Sequence, residues 1–246
     1  MINVTIFNEF LHEQNQQDAK DMYPKGIHNT IAEFLGEEAD INVRTVTLYD
    51  ENLEIIPDCG ITKELLDDTD VMIWWGHMAH DKVSDLAAAY VRNAVHEGMG
   101  IIFLHSGHHS KPFKLLMGTS GNLSWREDGD MERLWVIDPS HPIAQGIDRY
   151  IELEHEETYA EPFDIPTPDR LVFGAWYEGG EIFRGGCCFK RGNGNIFYFQ
   201  PGHETYGSFY NKDVQRVIKN AVRWANPQYR AALSCPKIEK IKYKRD

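Results

Sequence analysis

Val71-Met72-Ile73-Trp74-Trp75-Gly76-His77-Met78-Ala79-His80 is the stretch on which the reading of this chain turns. Five apolar residues in succession do not fit a strand with one wet face. They fit a strand covered on both faces, as in a parallel sheet. The glycine and histidines that follow place a polar turn at its carboxyl end. The same arrangement recurs. Ile101-Ile102-Phe103-Leu104 runs into His105-Ser106-Gly107-His108-His109. The strand-like run 195–200 leads into Pro201-Gly202-His203-Glu204, and the run 2–7 leads into Asn8, Glu9 and His12.

Helical spacing fills the intervals. Ile27, Ile31, Phe34 and Leu35 share a face that Gly36 ends. Val83, Leu86, Ala87, Tyr90, Val91, Ala94 and Val95 form a broad stripe closed by Gly98. Alternation predicts a strand over 41–48 and a short helix over 62–67. Late in the chain Val214, Val217, Ile218, Ala221 and Val222 predict a helix, with Asn211 as N-cap and Pro227 as stop. This order predicts an α/β protein: a three-layer, doubly wound, mostly parallel sheet of flavodoxin-like type. Residues 119–191 carry the turn pairs Asp128-Gly129, Gly179-Gly180 and Gly185-Gly186 and read as a β-rich insertion of hairpins packed on the main sheet. One α/β domain is expected over 1–226 and a C-terminal extension over 227–246. Its basic stretch 237–245 reads as an extended surface tail that reaches a second subunit.

The formal net charge is −13. Such a chain repels phosphate backbones and anionic membrane surfaces, so neither nucleic acid nor a membrane is an expected partner. No apolar run is long enough to span a bilayer, and MINVTIFNEF lacks the features of a secretory signal, so a cytoplasmic location is expected. Cys59, Cys187, Cys188 and Cys235 contain no CxxC pair and read as reduced thiols outside the crevice loops.

Right-handed crossovers would bring the loops after every parallel strand to one edge of the sheet, where open α/β sheets bind ligands. Imidazoles and carboxylates would then converge from four separate loops. In Leu153-Glu154-His155-Glu156-Glu157-Thr158-Tyr159, strand alternation predicts His155 and Glu157 on one face and Glu154 and Glu156 on the other. Two chemistries fit. Imidazoles with a carboxylate can ligate zinc or another transition metal. Alternatively, histidine is a general acid or base oriented by Glu204 or Glu157. His28, His96 and His141 read as structural. Gly76, Gly107 and Gly202 permit tight turns and close ligand approach. Trp125, Trp176 and Tyr206 join the strand aromatics as candidates for stacking on a sugar ring. There is no GxGxxG, no P-loop and no GxSxG.

Several motifs in order make the chain similar to a known family. Phe7-Asn8-Glu9-Phe10 with His12-Glu13, Tyr23-Pro24-Lys25-Gly26-Ile27-His28, Trp74-Trp75-Gly76-His77, His105-Ser106-Gly107-His108, Glu157-Thr158-Tyr159 and Pro201-Gly202-His203-Glu204 resemble ThuA-like trehalose-utilisation proteins. The resemblance extends to about Trp224 and implies a class I glutamine amidotransferase-like fold. His105 stands where an amidotransferase has its nucleophilic cysteine, so thiol-dependent glutamine hydrolysis is not expected. The implied context is carbohydrate catabolism, with ketosugars or disaccharide derivatives as small-molecule substrates. The expected reaction is a metal-assisted isomerisation or hydrolysis. His105, His203, Glu157 and Glu204 are the expected catalytic residues. Asn8, Glu9, His12, Trp75, Gly76, Ser106, His108 and Tyr159 are the expected substrate contacts. A divalent metal, zinc, is expected on His77, His105, Glu157 and His203, and homo-oligomerisation is expected. Two alternatives stand beside this: a non-catalytic sugar-binding or regulatory module, and a hydrolase using Ser106.

Overall fold

The apolar runs become the central strands of one nine-stranded sheet. The computed structural model describes residues 1–241. The strands in chain order are β1 (Ile2–Asn8), β2 (Ile41–Thr47), β3 (Val71–Trp75), β4 (Gly100–Leu104), β5 (Ser124–Arg126), β6 (Glu132–Val136), β7 (Tyr150–Leu153), β8 (Thr158–Ala160), β9 (Arg170–Tyr177), β10 (Ile182–Arg191) and β11 (Gly194–Phe199). The helices are α1 (His12–Asn15), α2 (Gln17–Met22), α3 (Ile27–Gly36), α4 (Lys63–Asp67), α5 (Asp85–Glu97), α6 (Lys111–Met117) and α7 (Lys212–Ala225).

The sheet order is β2-β1-β3-β4-β11-β10-β9-β6-β7. Its first five strands are mutually parallel and follow the flavodoxin-like order. Every residue of β3 and β4 is buried, as continuous apolar runs require. Helices α3 and α7 pack together on one face, and α4, α5 and α6 are neighbours on the other. Capping follows side-chain chemistry. Ser84 Oγ accepts from the Ala87 N–H at the start of α5, and Asn211 accepts from the Asp213 and Val214 N–H groups at the start of α7.

The middle segment departs from expectation. It does not pack on the sheet but lengthens it in its own plane. β10 pairs antiparallel with β11, and β9, β6 and β7 follow outward. Pairing satisfies the backbone groups that β11 would otherwise expose at an edge. Only the ribbon β5-β8 stands apart. This ribbon brings Trp125 and Tyr159 to the crevice at the strand ends.

Beyond α7 the described chain has no helix or strand. Its first residues dock on the sheet edge opposite the crevice, where the Ala231 N–H donates to the Glu97 carbonyl and Arg230 donates to the carbonyls of Leu66 and Thr69. Of the expected basic tail, residues 242–245 lie outside the described residues. Cys59, Cys187 and Cys188 are buried free thiols and Cys235 is exposed. Burial pushes the Cys59 thiol up to about 11 and Cys187 up to about 12, which keeps both unreactive. Among the described residues no helix is long and apolar enough to cross a membrane.

Candidate active site

β1, β3, β4 and β11 end side by side, and each end delivers an imidazole. His12 opens α1, four residues past the end of β1 at Asn8. His77 follows β3, His105 follows β4 directly, and His203 follows β11. His105 holds φ +49°, a conformation uncommon outside glycine. A sharp strand-to-turn bend of this kind lifts a side chain above the sheet edge. The rings of His77, His105 and His203 lie 5.3–5.6 Å apart, centroid to centroid. One donor atom from each of His77, His105, Glu157 and His203 falls within 4.8 Å of all the others. A second set, His12, His77 and Glu204, meets the same limit.

Hydrogen bonds fix the ring orientations. His105 Nδ1 lies 3.1 Å from the Gln200 carbonyl and donates to it, which leaves Nε2 as the lone-pair nitrogen. That Nε2 is 3.0 Å from a Glu157 carboxylate oxygen and 3.3 Å from the Tyr159 hydroxyl. Glu157 Oε2 nevertheless has no hydrogen-bond donor, and the buried His203 Nε2 has no partner either. Two acceptors 3.0 Å apart need a proton or a cation between them. Three imidazoles and one carboxylate are a donor set suited to a first-row transition ion such as zinc. The residues therefore fit a divalent metal.

Electrostatics follow from burial and crowding. Burial lowers His203 to about 4, helped by His105, so it stays neutral and able to ligate. Burial also lowers His105, but the Glu157 hydrogen bond and charge outweigh it, and the net direction is upward. Burial opposes ionisation of Glu204, yet the His77 hydrogen bond and the His77, His203 and His12 rings hold its carboxyl well below the usual range. Both Glu204 oxygens lie 3.0 Å from His77 Nδ1.

The remaining expected site residues divide into two layers. His12, Ser106, His108 and Tyr159 line a cavity of about 330 Å³ beside His77, Glu157 and Glu204. Asn8, Glu9, Trp75 and Gly76 lie beneath it. Asn8 donates to Glu13 and contacts His28, while Glu9 accepts from the Met78 and Ala79 N–H groups. Trp75 Nε1 donates to the Gly202 carbonyl. A Cβ on Gly76 would meet Glu9 Oε1 at 2.8 Å, which explains the glycine. Ser106 Oγ donates to the Gly76 carbonyl at 2.7 Å and has no histidine base. Treatment with a serine-directed phosphonate is therefore expected to leave the intact mass unchanged; a covalent adduct at Ser106 would restore the serine-hydrolase reading. His28 is buried against Asn8, and His141 caps a short turn, consistent with structural roles.

The alternation expected over 154–157 does not hold. These residues form an irregular loop between β7 and β8, so no pleat governs their facing. His155 is exposed, whereas Glu156 and Glu157 are both buried. Glu156 accepts from the N–H groups of Glu157, Gly202 and His203 and from Ser208 Oγ. It ties the loop of Glu157 to the loop of His203. Glu127, beyond β5, reaches to 3.6 Å from His203 Nε2 at the cavity mouth. Burial and the carboxylates of Glu157 and Glu204 raise it above the ordinary range. Sequence pattern singles out neither residue.

The family profile for ThuA, trehalose utilisation, matches residues 3–225. The chain belongs to the ThuA family. A trehalose-utilisation-related role follows from membership. Among solved structures, a ThuA-like protein from Parabacteroides merdae is 15% identical, with a TM-score of 0.68 over 96% of this chain and 93% of that one. A cytoplasmic protein of Salmonella typhimurium is 11% identical, with a TM-score of 0.60 over 92% of this ThuA protein and 99% of that chain. A glutamine amidotransferase from Thermotoga maritima is 9% identical, with a TM-score of 0.52 over 91% and 97%. These likenesses establish the amidotransferase-like fold. No curated protein matches the sequence.

Proposed function

We propose that this ThuA protein is an enzyme of carbohydrate catabolism that acts on ketosugars or related disaccharide derivatives at a metal centre. The reading rests on the meeting of His77, His105, Glu157 and His203 donor atoms within 4.8 Å of one another, from segments far apart in the chain. A divalent ion held there would polarise a substrate carbonyl and stabilise the enediolate of an isomerisation. The chain's own residues do the rest. Trp125, 65% exposed at the rim, offers a flat face for a sugar ring. Among the described residues no lysine or arginine lines the cavity, which favours a sugar without phosphate. The volume is at the small end for ligand pockets and suits one ring with its substituents. Glu127 is half-exposed at the mouth and placed to exchange a proton with both substrate and water.

Elemental analysis and ketosugar turnover, measured together, test this. The wild type is expected to carry a transition ion and to convert a 3-keto disaccharide or its monosaccharide. His105→Ala and His203→Ala are expected to lose turnover and to carry less of the ion than the wild type. Saturating zinc at about a hundred times its dissociation constant should stabilise the wild type by about 3 kcal/mol in thermal unfolding, and each variant by less. Unchanged turnover in both variants would reject the reading.

A further inference from the structure

We propose that the crevice binds two divalent cations, the second on His12, His77 and Glu204. The inference rests on reading this crevice as a metal centre and does not depend on which sugar it serves. The donors form two abutting sets that share only His77. A neutral imidazole offers one lone-pair nitrogen, so His77 can serve only one ion well. Its Nδ1 lies 3.0 Å from both Glu204 oxygens, and His12 Nε2 lies 3.4 Å from Glu204 Oε1. Assigned there, His77 leaves His105, Glu157 and His203 as the other set. Each set then has two imidazoles and one carboxylate, with positions open for a ligand. The sets touch where Glu204 Oε2 lies 3.7 Å from His203 Nε2. Paired ions in two-metal sites stand about 3.5–4 Å apart, a spacing these contacting sets can hold.

Two further observations point the same way. Glu204 Oε2 is buried without a hydrogen-bond donor. Charge balance is the second observation. Among the described residues, Glu157 and Glu204 are the buried carboxylates that line the cavity, one in each set, and no lysine or arginine lines it. One ion in each set would place a cation beside each of these two buried charges. Buried charge without a counterpart is strongly disfavoured. A pair of ions suits a ligand that presents two neighbouring oxygens, such as an α-hydroxyketone.

Apoprotein loaded with Mn(II) and freed of excess metal gives the test. The wild type is expected to hold two equivalents per chain and to show an exchange-coupled electron paramagnetic resonance spectrum. His12→Gln, which keeps a polar side chain, is expected to hold one equivalent and to lose the coupling. His105→Gln should also hold one. Circular dichroism and thermal unfolding check that each variant is folded; if His12→Gln is not, Glu204→Gln replaces it with the same expectation. One equivalent or none in the wild type overturns the proposal, as does an unchanged two in the folded variant. Two coupled ions in a protein that converts no ketosugar would uphold this site while rejecting the sugar reading.

Discussion

Glu156→Ala is expected to cost about 4 kcal/mol or more of unfolding free energy, since each buried donor stripped of its acceptor costs about 1–3 kcal/mol. Glu156 is fully buried, and its carboxylate serves four donors: the N–H groups of Glu157, Gly202 and His203, and Ser208 Oγ. Alanine leaves three backbone N–H groups without an acceptor in a dry place. No rearrangement within the loop supplies another carboxylate, because Glu157 points into the cavity and Glu132 lies in β6. The damage reaches function through position. Glu157 and His203 are both held by this one side chain, so their donors should drift apart and ion affinity should fall by a further tenfold or more, as outer-shell losses do. Glu156→Gln keeps one accepting oxygen and turns an amide N–H₂ toward a backbone donor, so about half the loss is expected. Urea unfolding at neutral pH, with metal titration of the folded variants, measures both effects. A Glu156→Ala protein within about 1 kcal/mol of wild type would show that water replaces the carboxylate without penalty.

The contrast between Glu156 and His105 shows what the sequence could reveal. His105 follows a strand whose every residue is apolar, and parallel topology alone assigns that loop to the ligand edge. The same logic located His77 and His203. Glu156 follows β7 by an irregular loop, where no period relates sequence to facing, and the strand rule put exposed His155 on one face with buried Glu157. Glu127 reaches the mouth through the ribbon β5-β8, a pairing of segments more than thirty residues apart that leaves no local mark. Helices α1 and α2 have four and six residues, too few for a helical period to declare itself. Strands β6, β7, β9 and β10 were legible as β structure. Whether they stack on a sheet or extend its edge depends on what β11 leaves unpaired, which is a tertiary matter.

Acid is expected to unfold this protein well above the pH at which carboxylates usually fail. Burial lowers His28 to about 4, and burial together with the neighbouring His109 lowers His80 to about 3. Both are neutral in the fold at pH 7, whereas in the unfolded chain they titrate near 6.5. A depressed folded value means that the unfolded state binds protons first as pH falls. The stability these groups contribute is complete above about pH 6.5 and is lost progressively down to about pH 4 for His28 and about pH 3 for His80. Two such groups give a slope of up to about 2.7 kcal/mol per pH unit in that window. Buried carboxylates act against it. Burial raises Glu9, Glu13, Glu132 and Glu156, so the fold takes up protons there more readily than the unfolded chain does. That uptake restores part of the loss, and a net slope of about 1–2 kcal/mol per unit is expected between pH 6.5 and 4.5. Chemical unfolding at pH 7, 6 and 5 measures it. His28→Asn, which cannot titrate and can still accept from Asn8, should flatten the slope by up to about 1.4 kcal/mol per pH unit. A wild-type stability that stays level across this range would mean that protonated His80 is held by Glu9, whose Oε1 lies 3.4 Å from its Nδ1, and that His28 finds a counter-charge as well.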